Sequence, residues 1–150
     1  MLLRREFIVK PRLNRAVAHF CGLGQYELTI NGRRVGEDLL APGWTKYDKT
    51  ALYDTYDVSS MLRPGHNVLG VLLGNGMYNV RGGRYTKFIG SFGPLKVIGQ
   101  LRLEYADGLI DMVGTDVKWR VHPGPITFSC VYTRRPYLGE GQLHFDLRQN

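Results

Sequence analysis

A short hairpin signal near the start of the chain restricts the fold more than any other feature. Residues 26–30 alternate apolar with polar side chains, which is the period of a half-buried strand. Asn31 and Gly32 follow directly, and these residue types readily adopt the two positive-φ positions of a type I′ turn. Residues 33–35 then provide the returning strand. The segment predicts an antiparallel hairpin with the first, third and fifth residues of 26–30 facing a core.

Short apolar runs separated by turn residues continue along the rest of the chain. Further strands are predicted at residues 16–21, 51–56, 66–74, 85–89, 95–105, 109–115, 119–121 and 127–131. The near-continuous apolar run within residues 66–74 is typical of a buried strand. Residues 57–62 predict one helical turn with a side-chain cap, and Asp107 with Gly108 predicts a second tight hairpin. Because no amphipathic helix of normal length is indicated, the sequence predicts an all-β fold, a jelly-roll β-sandwich.

The length of 150 residues suits one domain, and we find no fixed repeat and no interdomain linker. We expect the sandwich to occupy residues 1–132 and residues 133–150 to form a mobile tail. Residues 1–15 are basic but lack the apolar core and the small-residue cleavage site of a secretory signal. No stretch approaches the roughly 20 apolar residues of a membrane span. Cys21 and Cys130 are too few for a disulfide framework and predict buried, unreactive thiols.

The formal net charge of +7 raises the question of nucleic-acid binding. Basic residues cluster in residues 1–15 and again between Val58 and Leu103, where no Asp or Glu occurs. No helix-turn-helix, zinc, RNP-type or KH-type signature accompanies them. Single Arg and Lys residues that alternate with apolar ones are typical of the solvated face of a strand. The sequence therefore predicts no nucleic-acid partner, and any ligand of the acid-free stretch should be neutral or anionic.

Catalytic signatures are not found in the sequence. Glycoside cleavage needs two carboxyl groups facing each other, and the acidic residues here fall in loops and at strand edges with no indicated pair. The four histidines are dispersed, and no Gly-x-Ser-x-Gly elbow occurs. The Gly74 to Gly76 segment lacks the strand–helix frame of a phosphate loop. We predict no catalytic residue and no metal ligand.

Aromatic and polar residues in and beside the two longest predicted loops are the candidates for function. Sugars bind with their CH-rich faces on aromatic rings while fixed amides, carboxylates and guanidiniums contact hydroxyls. The candidates for carbohydrate binding or for a domain interface are Asn31, Trp44, Tyr47, Asp48, Asn75, Tyr78, Asn79, Arg81 and Arg84. The alternative for Trp44 and the tyrosines is that they plug the end of the sandwich or meet a neighbouring domain.

Four blocks of sequence carry a resemblance to a known family. They read Tyr-Glu-Leu-Thr-Ile-Asn-Gly-Arg-Arg-Val-Gly at 26–36, Leu-Ala-Pro-Gly-Trp-Thr-Lys-Tyr at 40–47, Leu-Tyr-Asp-Thr-Tyr-Asp-Val at 52–58, and Gly-Val-Leu-Leu-Gly-Asn-Gly-Met-Tyr-Asn at 70–79. In this order they resemble the N-terminal β-sandwich domain of bacterial α-L-rhamnosidases, which are glycoside hydrolases of the family 78 type. A weaker similarity continues through residues 119–128.

The resemblance implies a galactose-binding-like jelly roll that precedes a catalytic (α/α)6 barrel. The catalytic carboxylates of the family belong to that barrel, so the expected role is a non-catalytic accessory domain whose partner is the barrel. An autonomous carbohydrate-binding module for L-rhamnose is the alternative, with rhamnose-containing glycans as partners. A third hypothesis, an enzyme complete within 150 residues, has no support in the motifs.

Some relatives of the domain bind L-rhamnose with a calcium ion, so calcium is the one cofactor that the resemblance allows. The matching places are Asn31 and the loop of residues 79–84. Ile30 should face the core, however, so a paired Asp-Asn ligand set is not indicated.

Two departures from the family pattern stand out. Met77 occupies a position where a tryptophan is expected, which removes a stacking surface. Residues 132–137 and the polar tail replace a Gly-Glu-x-Tyr-Asp-Ala-Arg-like segment. A truncated, an altered and a divergent chain end are all consistent with this difference.

Overall fold

In this computed structural model every pair of neighbouring strands is antiparallel within the described residues, which are 1–80, 90–124, 126–129 and 143–145. The strands are β1 (Leu2–Val9), β2 (Leu13–Leu23), β3 (Gln25–Ile30), β4 (Arg33–Arg34), β5 (Asp54–Asp57), β6 (Gly65–Gly74), β7 (Asn79–Val80), β8 (Gly90–Ser91), β9 (Lys96–Tyr105), β10 (Ile110–Gly114), β11 (Arg120–His122), β12 (Ile126–Ser129) and β13 (Leu143–Phe145). The helical element of the described chain is one 3₁₀ turn, Ser59–Met61. Within the same residues, no helix has the length and apolar character needed to cross a membrane.

Two sheets face each other across one hydrophobic core. The first has the strand order β11-β1-β6-β3-β4 and the second the order β10-β9-β2-β5, while β12-β13 and β7-β8 form two small ribbons. The largest buried side chains come from both sheets, among them Phe20 and Leu101 from one and Leu28 and Leu69 from the other. The predicted jelly-roll β-sandwich is confirmed.

The predicted hairpin at Asn31 and Gly32 is present and joins β3 to β4. The φ angles are 53° at Asn31 and 79° at Gly32, so both turn residues occupy the left-handed region. Tyr26, Leu28 and Ile30 are 7%, 1% and 0% exposed and face the core. The local pattern was sufficient here because turn chemistry and side-chain alternation agree.

Strand β6 forms where it is predicted, but only one of its two faces is fully buried. Its core-facing residues are Leu69, Val71 and Leu73, and the residues between them are only partly buried. The apolar run therefore does not mark burial on both faces. The core face also carries a polar residue, Asn67, which is 1% exposed.

The N-terminal strand β1 is absent from the sequence-based prediction, yet it lies inside the five-stranded sheet. It pairs with β6 along its whole length and with β11 at its start. Phe7 and Val9 face the core, while Arg4 and Glu6 are exposed and joined by an ion pair. The charged residues in this segment obscure the alternation from which a strand would be recognised.

The remaining boundaries differ by a few residues. β5 starts at Asp54, three residues later than predicted, and the 3₁₀ turn replaces the predicted helical turn. Asp57 accepts a hydrogen bond from the Ser59 amide at 3.0 Å, although it is not the N-cap residue. Cys21 is buried as predicted, whereas Cys130 and the predicted strand at 85–89 lie outside the described residues.

The division of the chain at residue 132 stays a prediction. Strand β13 (Leu143–Phe145) falls within the expected tail and pairs with β12 (Ile126–Ser129). The other residues of 133–150 lie outside the described part of the chain.

Candidate functional site

Residues 36–53, the 36–53 loop, connect β4 to β5 and carry three of the candidate residues. The Val35 amide donates to Leu28 O, and the Tyr26 amide donates to Ala41 O, both at 2.9 Å. Further along, the amides of residues 49 and 50 both donate to Lys46 O. The loop backbone is therefore fixed at its start by the sheet and near its end by a tight turn.

A polar network joins the 36–53 loop to the edge of the sandwich. The buried Tyr26 hydroxyl donates to Asp54 Oδ2 at 2.7 Å, and the Tyr56 hydroxyl donates to Asp38 Oδ2 at 3.4 Å. Burial raises the pKa of Tyr26 far above its ordinary value, with hydrogen bonds to Tyr56 and Asp54 adding to the effect. Gly36 has a φ of 72°, and a Cβ there would lie 2.6 Å from the Tyr56 ring. The glycine thus permits the loop to start against this tyrosine.

Three aromatic rings, the aromatic trio of Tyr47, Tyr78 and Phe92, meet at one end of the sandwich. Ring centroids lie 5.2 Å apart for Tyr47 and Tyr78, 5.4 Å for Tyr47 and Phe92, and 6.0 Å for Tyr78 and Phe92. The Tyr78 hydroxyl donates to Phe92 O, and the Phe92 amide donates to Tyr78 O. Tyr78 is 4% exposed and Phe92 is 53% exposed. Burial raises the pKa of Tyr47.

Phe92 was missed by sequence reasoning. An aromatic residue beside Gly93 and Pro94 is a weak signal, because its contact with Tyr47 and Tyr78 depends on long-range folding.

A cleft of about 690 Å³ opens beside the aromatic trio, where β6 ends and β3 begins. Its polar lining includes Gln25, Glu27, Asn75 and Asn79, and its apolar lining includes Leu72. Asn79 is only 5% exposed, and its backbone N–H donates to the backbone carbonyl of Asn75 at 3.2 Å. The structure therefore brings together Tyr47, Tyr78, Asn75 and Asn79 of the predicted set.

Asn31 lies at the other end of β6. Its backbone amide donates to Val68 O, and about seven residues of extended chain, roughly 23 Å at 3.3 Å per residue, separate Val68 from Asn75. The Asn31 side chain donates to Asn67 Oδ1 and accepts from the Val68 amide. This side chain supports the hairpin and does not converge with Asn79, the first residue of the other place that the resemblance indicates for calcium.

Trp44 and Asp48 do not join the trio. Trp44 is 67% exposed on the 36–53 loop, and Asp48 is exposed with its carboxylate 3.9 Å from Lys46 Nζ. Arg81 and Arg84 lie outside the described residues. Among the described side chains, no group of three or more His, Cys, Asp or Glu residues is arranged to hold a metal ion.

Fold and site together define an antiparallel β-sandwich domain with its aromatic and amide side chains gathered on loops at one end of the sheets. The model of the family described as the alpha-L-rhamnosidase N-terminal domain matches residues 11–145. The chain belongs to this family.

Individual relatives show the same relationship. The chain is 39% identical over 142 residues to an alpha-L-rhamnosidase of Streptomyces avermitilis, covering 90% of this chain and 13% of that protein. It is 35% identical over 144 residues to an alpha-L-rhamnosidase of Formosa agariphila, covering 93% and 15%. The crystal structure of native α-L-rhamnosidase from Aspergillus terreus superposes with a TM-score of 0.79 at 35% identity, covering 87% of this chain and 15% of that one. The chain thus spans about one seventh of the length of these relatives.

Proposed function

We propose that this chain is a non-catalytic accessory domain of an α-L-rhamnosidase-like glycoside hydrolase, and that it supports a catalytic barrel domain. The observation that carries the proposal is the coverage: 90% of the chain corresponds to only 13% of the Streptomyces avermitilis relative. A segment of that size is an accessory part of a large enzyme, since an (α/α)6 barrel requires far more than 150 residues.

Three of the described carboxylates, those of Asp38, Asp54 and Asp57, support a non-catalytic role. A glycosidase needs a general acid with a raised pKa and a second carboxylate across the scissile bond. Asp54 and Asp38 instead accept hydrogen bonds from Tyr26 and Tyr56. Hydrogen bonds from the Ser59 side chain and backbone lower the pKa of Asp57, which is the opposite of what a general acid needs.

The proposal is tested in two proteins. The isolated chain should not hydrolyse an aryl α-L-rhamnoside, whatever its concentration. Deleting the matching 142-residue segment from the Streptomyces avermitilis relative should lower the melting temperature of its remaining part, and inserting this chain should restore it. Hydrolysis by the isolated chain that disappears with a single Asp→Asn or Glu→Gln change would refute the proposal, as would an unchanged melting temperature after deletion.

The second candidate is an autonomous module for L-rhamnose, which the aromatic trio beside the cleft favours. Phe92 is half exposed, while Tyr78 and Tyr47 hold its position, and Asn79 lines the adjoining cleft. A ring face with side-chain amides nearby is the arrangement that binds a sugar with one apolar face.

Isothermal titration with L-rhamnose, with and without calcium, tests this second function. Saturable heat that is lost in Phe92→Ala and kept in Ile98→Ala would support it, because Ile98 is also exposed but lies in strand β9. The absence of heat at millimolar sugar in both conditions would exclude a functional module. A dependence on calcium would indicate a metal site formed by residues other than the Asn31 and Asn79 pair.

A further inference from the structure

The 36–53 loop presents a series of large apolar side chains to solvent. Leu39, Leu40, Trp44, Leu52 and Tyr53, here called the apolar loop surface, are 83%, 69%, 67%, 46% and 65% exposed. Single exposed apolar residues are normal on a folded protein. Five within fifteen residues are a concentration that usually marks an interaction site.

The loop carries these side chains on an ordered backbone. Ala41 is paired with Tyr26 of β3, and the carbonyl of Lys46 accepts two amide hydrogen bonds. The Thr45 hydroxyl donates to Thr50 O, which closes the turn between Trp44 and Leu52. A Cβ on Gly43 would lie 3.7 Å from Leu52 Cδ1, so the two arms of the loop are in contact range. The backbone that carries the exposed residues is therefore fixed at Ala41 and at the 45–50 turn.

The chemistry of this surface fits a polypeptide better than a sugar. A sugar site combines aromatic faces with polar side chains that converge on hydroxyl groups. Three members of the apolar loop surface are leucines, which offer neither a ring face nor a hydrogen bond. The Thr45 hydroxyl is occupied by Thr50 O, and Asp48 lies near Lys46. Aromatic residues such as Trp44 and Tyr53 are enriched at the apolar centre of a protein interface, where charged residues are depleted.

We infer that the apolar loop surface docks against the remaining polypeptide of an α-L-rhamnosidase, an inference that rests on the proposed function. The relatives of this chain supply the occupant, because 85% or more of their length lies outside the matching segment. A covalently linked partner is present at a high effective concentration, so a modest interface suffices to hold it.

Hydroxyl-radical footprinting with mass spectrometry tests the contact directly. The isolated chain is compared with a hybrid in which it replaces the matching segment of the Streptomyces avermitilis relative. Labelling of Trp44, Leu39 and Leu40 should fall by about tenfold in the hybrid, because the centre of an interface excludes water. Ile98 and Met112, which are 67% and 49% exposed on β9 and β10, are the matched controls and should be labelled equally in both proteins.

A second pair of variants separates docking from folding. The double variant that combines Leu39→Ser and Trp44→Ser should lower the melting temperature of the hybrid but leave that of the isolated chain unchanged. The control double variant, Ile98→Ser and Met112→Ser, should change neither melting temperature. If the hybrid does not fold, the same labelling is measured on the isolated chain mixed with the relative that lacks its own segment.

The outcomes distinguish the inference from the function on which it rests. Equal labelling of Trp44 in both proteins, together with protection of Ile98 and Met112, would refute the apolar loop surface as the contact and leave the accessory role intact. Equal labelling everywhere would refute both. Protection of Trp44 already in the isolated chain would show self-association and would also overturn the inference.

Discussion

Asn67 shows what a single buried polar residue requires. It lies on the core face of β6 at 1% exposure, and its side chain makes four hydrogen bonds. Oδ1 accepts from Asn31 Nδ2 and from the Arg63 amide, and Nδ2 donates to Arg63 O and Gly65 O. A buried amide of this kind is tolerated because every donor and acceptor has a partner. It connects the Asn31 hairpin to the turn that precedes β6.

We expect Asn67→Ala to lower the free energy of unfolding by about 3 kcal/mol, because the partner groups remain buried without hydrogen bonds. Urea denaturation followed by circular dichroism measures the change. Asn14→Ala, at an exposed position of β2, is the matched control and should change stability by less than about 0.5 kcal/mol. A loss below about 1 kcal/mol in Asn67→Ala would show that water replaces the network.

Tyr26 gives a second prediction at this scale, on the pH dependence of stability. Its pKa is raised in the folded chain from an ordinary value of 10.0, mainly by burial. Above pH 10 the unfolded chain releases this proton while the folded chain keeps it. The free energy of unfolding should therefore fall by about 1.4 kcal/mol per pH unit from this residue.

The free energy of unfolding can be measured by urea denaturation at several pH values between 9 and 11. Its decrease with pH should have a shallower slope for Tyr26→Phe than for the unchanged chain. Tyr53→Phe, at an exposed site, should keep the original slope. The raised pKa of Tyr56 and of Tyr47 should leave part of the slope in Tyr26→Phe. Identical slopes in all three proteins would contradict the burial of the Tyr26 hydroxyl.

At the scale of elements, Gly99 shows how two strands of the core sheet are fitted together. It lies opposite Phe20 in the β2–β9 pair, and a Cβ at this position would lie 2.3 Å from Phe20 Cε1. The Phe20 ring also packs against Tyr26 and Trp119, with centroids at 6.3 and 6.5 Å. The ring has little freedom to move away, so the glycine is required by packing rather than by its backbone angles.

Gly99→Ala should therefore destabilise the chain by about 2 kcal/mol through overpacking. Gly114→Ala in the neighbouring strand β10 is the control, since its Cβ would meet nothing closer than Gly99 O at 3.9 Å. Thermal unfolding should show a lower melting temperature only for Gly99→Ala. A similar loss in both variants would point to a general dependence of the sheet on glycine flexibility.

The elements also show how far sequence reasoning extends. The Asn31 hairpin and strand β9 follow from local patterns, because turn chemistry and alternation act within a few residues. Strand β1 could not be recognised, since Arg4, Arg5 and Glu6 interrupt its apolar alternation and its place is set by pairing with β6, more than fifty residues away. The apolar run also gives no sign of the role of Asn67, because its network combines local bonds to Arg63 and Gly65 with one to Asn31, 36 residues away.

The site was predictable in part for the same reason. Tyr47, Asn75, Tyr78 and Asn79 were identified because they lie in long loops, and loops at the ends of a sandwich meet. Asn31 belongs to the same predicted set as a polar turn residue, although the length of β6 separates it from Asn79. Phe92 depends on a loop closure that no local pattern reveals.

At the scale of the whole molecule, the N-terminal strand sets the limits of the folding unit. The match to the family model begins at residue 11, so it does not include β1. Yet β1 lies between β11 and β6 in the five-stranded sheet, and its Phe7 and Val9 are 7% and 1% exposed. Its removal would take two core side chains and leave the ladder of β6 open on one side. The cost of losing one buried Phe alone is about 3–5 kcal/mol, against a total stability of about 5–15 kcal/mol for a domain.

A chain that begins at residue 11 should consequently be unfolded or aggregated, even though it contains the whole matched family segment. Two-dimensional amide NMR measures this as a loss of shift dispersion relative to the full chain. A synthetic peptide of residues 1–10 should restore dispersion by adding the missing strand, whereas the same peptide with Phe7→Ser and Val9→Ser should not. Native dispersion in the shortened chain alone would mean that β11 and β6 can close the sheet without β1, and that the core is sufficient without Phe7 and Val9.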